Sequence, residues 1–499
     1  MSIDHQFIQM QKSVHASTLV VFVSSQEPMQ IFASAPGIRE DILRTKLQRI
    51  GFHAKLNQVC TIDADPLFAQ SSFSNVVCVG LGAEFSKLTC EKISSCAAKI
   101  LHTLGSMQIM DAAISGLETA LPQLDPMQLH QALLDGINYA NYKFHGYKQK
   151  EQECASKLKT VYHYTDDITA AQNCLDYHSA KHAGVAWAKD LMHMPGNILT
   201  PTTFATAMSR LSKLGVVVKI LDENDLKTER MHALLSVGQG STQESRLVSM
   251  LWPGSKENTQ KPVAIVGKGI CYDSGGINIK LRMLTDMKYD MGGAAAVVGT
   301  MLALAENKCE QAVVGVIALA ENMPDGNAIR PSDVIQSRQG KSIEVLNTDA
   351  EGRLILADAI DYTIDYFKPR WIIDLATLTG AMIVSLGHEY AGYFSNSAEL
   401  SQALEAASEH SGEKLWRLPL DPAYDAMIDS PIADVQNLGS SPGAGSIVAA
   451  QFLQRFCKDT AWAHIDIAGT AWTPKHALHG KGPTGYGVAL LQSLIESAH

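Results

Sequence analysis

The segment PVAIVGKGICYDSGGINIK (residues 262–280) passes from an apolar run into glycines and one acid, and KYDMGG (residues 288–293) soon repeats the acid-beside-glycine pattern. The apolar run reads as a buried strand, and the glycines mark the place where a rigid core hands its backbone to a polar site. A third cluster of the same character, NTDAEGRL, occupies residues 347–354. Outward from these clusters, strand candidates at 262–266, 312–319 and 371–375 alternate with helix candidates at 292–306 and 353–367. That alternation predicts an α/β fold with a mostly parallel central sheet flanked by helices, a class that places ligands at the carboxyl ends of its strands. The acidic clusters fall at those ends.

At 499 residues, with 46% hydrophobic and 18% charged positions, the chain is long enough for more than one core. Strand-like runs at 18–23 and 76–80 alternate with helix-like stretches at 91–104 and 125–140. They predict a smaller N-terminal α/β domain over residues 1–165. A polar stretch, 162–176, leads into a helical pattern at 178–192, so a linker and connecting helix are expected over 166–194. The turn PGNILTP (195–201) then opens a larger catalytic domain over 195–499. There is no internal repeat and no low-complexity segment.

The bulk properties exclude several classes. A formal net charge of −10 argues against a nucleic-acid partner held by phosphate contacts, while leaving room for a local basic patch. The start MSIDHQFIQMQKS lacks the basic and apolar regions of a secretory signal, and the longest apolar stretch, 312–320, is too short to span a bilayer. A cytoplasmic protein with no membrane partner is expected. Nine scattered cysteines without a CxxC pair read as reduced, mostly buried thiols. Cys271 lies inside the first cluster, but no His/Asn partner set accompanies it, so a core thiol is the better reading.

Asp349 and Glu351 are two apart, so in an extended segment they point to one side, and converging carboxylates need cations to offset their repulsion. With Asp273 and Asp290 from a separate segment, four carboxylates can meet, enough for two divalent ions roughly 3.5–4 Å apart. Any one Asp beside a glycine is more simply a turn residue or helix cap; the joint pattern outweighs that reading. Other motifs fail. Gly267 and Gly269 follow a strand as in a dinucleotide loop, but Tyr272 occupies the next required glycine position, and neither a Walker loop nor a GxSxG elbow is present. His178 and His182 lie one helical turn apart without the Glu of HExxH, so they read as core or surface residues.

The segments VGKGICYDSGGINIK, KYDMGGAAAV, ENMPDGNAIRPSDV (321–334), NTDAEGRL and LATLTGA (375–381), in this order, resemble the successive signatures of the leucyl aminopeptidase, or cytosol aminopeptidase, family. The resemblance runs from about residue 181 to the C-terminus. It implies a metal-dependent aminopeptidase that releases N-terminal amino acids, leucine-like ones preferred, from peptides with a free N-terminus through a two-metal-activated water. By matching position it implies Lys268, Asp273, Asp290, Asp349 and Glu351 as metal ligands, with Asp273 and Glu351 bridging the ions. An ammonium cannot ligate, so Lys268 would have to be neutral beside the cations; the plainer reading is a charge partner for the acids. Lys280 is implied as the electrophile facing the oxyanion, and Arg353 as the anchor for a bicarbonate general base. Met287, Asn347, Thr377, Leu378 and Gly380 match substrate-contacting positions. The implied cofactors are two divalent ions per subunit, Mn2+ or Zn2+ with Mg2+ or Co2+ as alternatives, and the implied assembly is a homohexamer. The segment LRMLTDM (281–287) departs from the usual family pattern, which predicts a differently shaped loop before Asp290. A competing reading is a DNA-binding or scaffold protein of the same fold with secondary peptidase activity; intact Lys280 and Arg353 and the overall acidity speak against it.

Overall fold

The computed structural model describes residues 2–10, 12–65, 67, 73–144, 146–148, 157–255, 260–476 and 478–497. It divides into two compact units, one of Met1–His182 with Lys475–Gly480, the other of Ala183–Pro474 with Lys481–His499. The helix Ile168–His193 carries the chain from one to the other, beginning about ten residues before the expected helical pattern. The stretch 162–176 thus holds the end of the strand Thr160–Thr165 and the first turns of this helix.

The first unit is built on a seven-stranded sheet. Its order is Asp4–Gln9, Thr160–Thr165, Asp111–Ser115, Thr18–Ser24, Asn75–Gly82 and Val59–Asp63, with Ile31–Phe32 pairing beside Thr18–Ser24. All pairings along that order are parallel except the last, which is antiparallel. The helices Cys90–Ser106 and Pro126–Asn141 cover one face, burying Ile93, Ile100, Leu129 and Leu133 against Val77 and Val79. Pro126 starts the second helix where no amide partner is needed, and the Asp125 side chain accepts from the amides of Met127 and Gln128. On the other face Leu43 and Leu47 of Glu40–Arg49 meet Val76 and Cys78.

The second unit holds an eight-stranded sheet in the order Leu415–Arg417, Ala391–Ser395, Ala461–Asp466, Trp371–Ala376, Val263–Asp273, Val313–Asn322, Arg246–Trp252, Val217–Leu221. The four strands from Ala461–Asp466 to Val313–Asn322 are mutually parallel. Antiparallel neighbours join them on both sides, so the sheet is mixed, with the expected parallel centre. The central strand explains its own composition. Ala264 and Val266 face the helix Gly352–Phe367, in one core with Leu354, Ile355 and Ile360. The alternate residue Gly267 faces the helix Gly292–Glu306, where an added Cβ would lie 2.6 Å from the Ala294 backbone. The glycines that imitate a nucleotide loop are therefore there to admit a helix. That helix, rich in Ala and Val, is buried from Gly292 to Ala305, as its lack of a polar face requires.

Among the described residues the cysteines are free thiols, Cys271 buried among them; Cys154 lies outside the described residues. No described helix is long and apolar enough to cross a membrane.

Candidate metal centre

Four adjacent parallel strands end at one place, and their last residues or the residues just after them line it: Asp273, Asn322, Thr377 and Asp466. Lys268 sits deeper in the same strand as Asp273. Five residues apart, the two would face opposite sides of a regular strand. The register with the neighbouring strand resolves this, since Ile270 pairs with Ala320 and Tyr272 with Glu321, leaving Cys271 as an extra residue. This bulge shifts the alternation by one and puts Asp273, paired with Asn322, on the face that carries Lys268, paired with Ala318. Cys271 is thus a buried structural residue, its thiol pushed well up by burial, as a core cysteine requires.

Asp273, Asp290 and Glu351 are all buried, and each offers a carboxylate oxygen lying within 4.8 Å of the others. Asp290 closes a one-turn helix, Met287–Tyr289, just before Gly292–Glu306. Glu351 is the N-cap of Gly352–Phe367. Two helix N-termini therefore begin beside the acids and favour their charge. Lys268 Nζ lies 2.7 Å from Asp290 Oδ2 and 2.8 Å from Glu351 Oε1, and it donates to the Thr377 carbonyl at 3.1 Å. A Cβ on Gly352 would meet the Lys268 side chain at 2.7 Å, so the glycine leaves room for that lysine. Lys280 Nζ joins Asp273 Oδ2 at 2.8 Å to Asp349 Oδ1 at 2.5 Å.

Asp349 and Glu351 do not share one side of an extended segment. The chain turns there, with Glu351 at φ −77 and ψ −34, so Asp349 meets Lys280 while Glu351 meets Lys268. The cluster holds more buried negative charge than the two lysines offset. Burial raises the proton affinity of Asp290, Glu351 and Asp349, and the charge of Asp273 adds to it in each. For Lys268 burial works against the ammonium, but Asp290, Glu351 and Asp273 outweigh it and hold the lysine charged. Lys280 behaves alike, with Asp273 and Glu351 outweighing its burial. Glu351 Oε2 is buried and has no hydrogen-bond partner among the described residues. An orphaned carboxylate oxygen in a set of hard oxygen donors fits a divalent cation.

The remaining predicted residues lie around this cluster. Thr377 Oγ1 donates to Asp290 Oδ1 at 2.7 Å, and the Leu378 amide donates to Asp466 Oδ1 at 3.1 Å. Met287 is buried; Gly380 opens the helix Gly380–Leu386 with nothing within 4 Å of where a Cβ would stand. Asn347 Oδ1 accepts from the Asp349 amide at 2.8 Å, closing the turn that presents the acid. Arg353 is buried and donates through Nη1 to the Asn437 carbonyl at 2.9 Å, while its Nε has no hydrogen-bond partner among the described residues. Burial lowers its pKa to about 10, with Glu351 and Asp466 opposing. Such a guanidinium has capacity left for an anion. The histidines read as structural behave so: His182 Nε2 lies 2.7 Å from Asp135 Oδ1.

Sequence reasoning passed over three supports. Asn322 Nδ2 donates to Asp273 Oδ1, the Asp466 carboxylate accepts from Thr379 Oγ1 at 2.6 Å, and Asn437 Oδ1 accepts from the Leu346 amide at 2.8 Å. The signal for the first two was available, because each polar residue terminates an apolar strand run beside a glycine-flanked acid or a threonine turn.

The model of the cytosol aminopeptidase family catalytic domain matches residues 186–492, and that of the family's N-terminal domain matches residues 20–151. A probable cytosol aminopeptidase of Bradyrhizobium sp. (strain BTAi1 / ATCC BAA-1182) is 50% identical over 375 residues, covering 74% of this chain and 75% of its own. Its namesake in Caulobacter vibrioides is 49% identical over 368 residues, covering 73% and 74%. That of Brucella melitensis is 50% identical over 365 residues, covering 72% and 75%.

Proposed function

The chain belongs to the cytosol aminopeptidase family and is a metal-dependent aminopeptidase, a hydrolase acting on peptides, and from that premise we propose which of its residues do the work. Lys268, Asp273, Asp290, Asp349 and Glu351 hold two divalent ions, Mn2+ or Zn2+ with Mg2+ or Co2+ as substitutes. The observation that carries this is the orphaned Glu351 Oε2 inside a buried triad with Asp273 and Asp290. When bound, the ions supply Lewis acidity to the scissile carbonyl and to water. With the ions bound, Lys268 would be neutral, since the cations would replace its ammonium as counter-charge to Asp290 and Glu351.

The protein's own groups do the rest. Lys280, at the rim of the cluster, is positioned to release Asp273 and Asp349 to the cations and to turn its ammonium toward negative charge developing on the substrate carbonyl. Arg353, with Nε unpartnered, anchors a bicarbonate that serves as general base. Asn347, Met287, Thr377, Leu378 and Gly380 line the place of the N-terminal side chain, leucine-like ones preferred. Thr377 also orients Asp290. Exposed Ile277, Ile279, Leu281 and Met283 in the loop beside Lys280, together with Val384, support self-association, as a homohexamer by family resemblance. The relatives' name supports a cytoplasmic site of action.

Hydrolysis of leucine p-nitroanilide by the purified protein tests this reading. The protein is stripped by chelator and restored with Mn2+ or Zn2+, with an N-acetylated peptide as control. Metal-restored cleavage that requires the free amine is expected. Absence of cleavage under every metal, or cleavage of the blocked peptide, overturns the assignment.

A further inference from the structure

Two cysteines of the first unit, remote in sequence from every residue proposed above, face each other across paired strands. Cys60 of Val59–Asp63 stands in antiparallel register with Cys78 of Asn75–Gly82. Residues directly opposite on paired strands project to the same face. Here that face is the layer of Leu43, Leu47 and Val76, with Cys78 fully buried and Cys60 partly exposed at its margin. The kind of pair follows from the flanking backbone bonds. Gly80 N donates to Gln58 O at 2.8 Å and Ala64 N to Ser74 O at 3.0 Å. Positions 58/80, 60/78 and 64/74 are separated by even steps, so Cys60 and Cys78 form a hydrogen-bonded pair, with Cα atoms about 5.5 Å apart. A disulfide accepts Cα separations of about 4.4–6.8 Å. Cys78 belongs to that buried layer and Cys60 packs against it, so the pairing register sets the two thiols side by side on one face.

We propose that Cys60 and Cys78 are a reversible redox pair that closes into a cross-strand disulfide under peroxide. The Cys60 sulfur attacks hydrogen peroxide, forming an S–O bond as the O–O bond breaks, and yields a sulfenic acid and one water. The Cys78 sulfur then attacks the Cys60 sulfur, the S–S bond forms as the S–O bond breaks, and the Cys78 proton leaves with the hydroxyl as a second water. Two thiols give two electrons and two protons to one peroxide. The order of events follows from the surroundings: the neighbouring Cys78 lowers the Cys60 thiol pKa against the effect of burial, while Cys60 and burial push that of the Cys78 thiol well up. Cys60 is also the accessible member. A hydrogen-bonded pair holds its side chains farther apart than the alternate pair type does, so the bridge draws the strands together, and strained bridges are the readily reduced ones. Val59–Asp63 ends the sheet order, so the bridge fixes the register of a terminal strand.

The test treats the intact protein with hydrogen peroxide, alkylates remaining thiols under denaturing conditions and maps peptides by mass spectrometry. The tryptic peptide 56–87 holds both cysteines and no other. It is expected to lose two hydrogen atoms and both alkylation sites, and to regain both on treatment with dithiothreitol. In Cys78→Ala, which cannot close the bridge, Cys60 is expected to accumulate as a sulfenic acid trapped by dimedone. Oxidation confined to the exposed Cys90, Cys60 passing to sulfinic acid while Cys78 stays alkylatable, or no trapped sulfenic acid in Cys78→Ala overturns the proposal.

Discussion

Asn322 Nδ2 donates to Asp273 Oδ1 at 2.9 Å, and the same amide nitrogen donates to the Thr348 carbonyl at 3.0 Å. One buried side chain thus ties an acid at the end of one strand to the turn that presents Asp349. The Gly275 amide donates to the same Asp273 oxygen at 2.9 Å, leaving Oδ2 to face Lys280. Supports of this kind set the orientation of a metal ligand. Asn322→Ala is expected to weaken metal binding by about 10–100-fold. A chelator-competition titration reads this directly, and parental affinity in the variant would show that Asp273 needs no such support.

Glu351 carries a larger share. It is the N-cap residue of a sixteen-residue helix, meets Lys268 through Oε1 and, among the described residues, leaves Oε2 without a hydrogen-bond partner. Glu351→Gln keeps the shape but replaces one carboxylate oxygen by an amide nitrogen, which carries no negative charge and does not ligate a cation, so both metal content and turnover should collapse. Elemental analysis after dialysis against Mn2+ measures the first; two ions per subunit retained in the variant would contradict the assignment.

Lys280 is expected to behave differently. It is the less buried of the two lysines and its partners sit on two segments, so removing it should spare the fold and the triad of Asp273, Asp290 and Glu351. Lys280→Ala should lower kcat by about 100–1000-fold, the usual cost of losing an oxyanion donor, with metal still bound. A variant defect confined to KM would move Lys280 from the reacting carbonyl to substrate capture.

How far the site could be read from the chain is shown by the strand Val263–Asp273. Its apolar start, the helix at Gly292–Glu306 and the acids beside glycines were all readable, because burial and close approach leave compositional marks. The bulge at Cys271 left none. Residue parity alone puts Lys268 and Asp273 on opposite faces, and only pairing with Val313–Asn322 reveals the shift that unites them. Asp349 and Glu351 failed in the opposite sense. Their spacing suggested a shared side in an extended segment, whereas a turn held by Asn347 sends them to different lysines. Local spacing is informative only when the backbone conformation is known, and that is set by tertiary partners such as Asn437.

Acid should loosen the first unit through a buried histidine pair. His5 Nδ1 and His163 Nε2 lie 2.9 Å apart on adjacent parallel strands, an arrangement that needs one donor and one acceptor and so fails when both rings carry both protons. Burial lowers the His5 pKa from 6.5 to about 4, with His182 adding to the shift and Asn138 and Asp4 opposing it; burial, and after it His5 and His130, hold that of His163 well below the usual imidazole value. A base with a depressed folded pKa binds fewer protons folded than unfolded. Its stabilising contribution is complete above about 6.5 and is lost as pH falls toward about 4, on the order of 3 kcal/mol for His5 alone. Hydrogen exchange in Asp4–Gln9, corrected for intrinsic rates, should accelerate between about pH 6.5 and 4.5 in the parent. His5→Gln should lessen that dependence without abolishing it, because one of the two depressed rings is gone while buried His163 still excludes its proton. Equal pH dependence in the two proteins would remove His5 as a cause.

Two glycines near the metal centre should respond oppositely to one methyl group. At Gly293 a Cβ would stand 2.0 Å from the Leu375 carbonyl oxygen and 3.0 Å from the Lys268 amide. Both are backbone atoms of central strands, so neither can swing aside, and relief requires the helix Gly292–Glu306 to retreat from the sheet. Gly293→Ala should therefore cost roughly 3 kcal/mol of stability and also displace Lys268 and Asp290, so that metal affinity falls with it. Gly380 has nothing within 4 Å of its Cβ position and begins a helix, so Gly380→Ala should leave stability unchanged or raise it by about 0.4–1 kcal/mol. Its effect should fall on KM for leucine substrates, since the added methyl enters the space proposed for the N-terminal side chain. Denaturation midpoints together with kinetics separate the two. A Gly293→Ala protein as stable as the parent would mean that the helix can yield where the close approach says it cannot, and an unchanged KM in Gly380→Ala would place the side-chain pocket elsewhere.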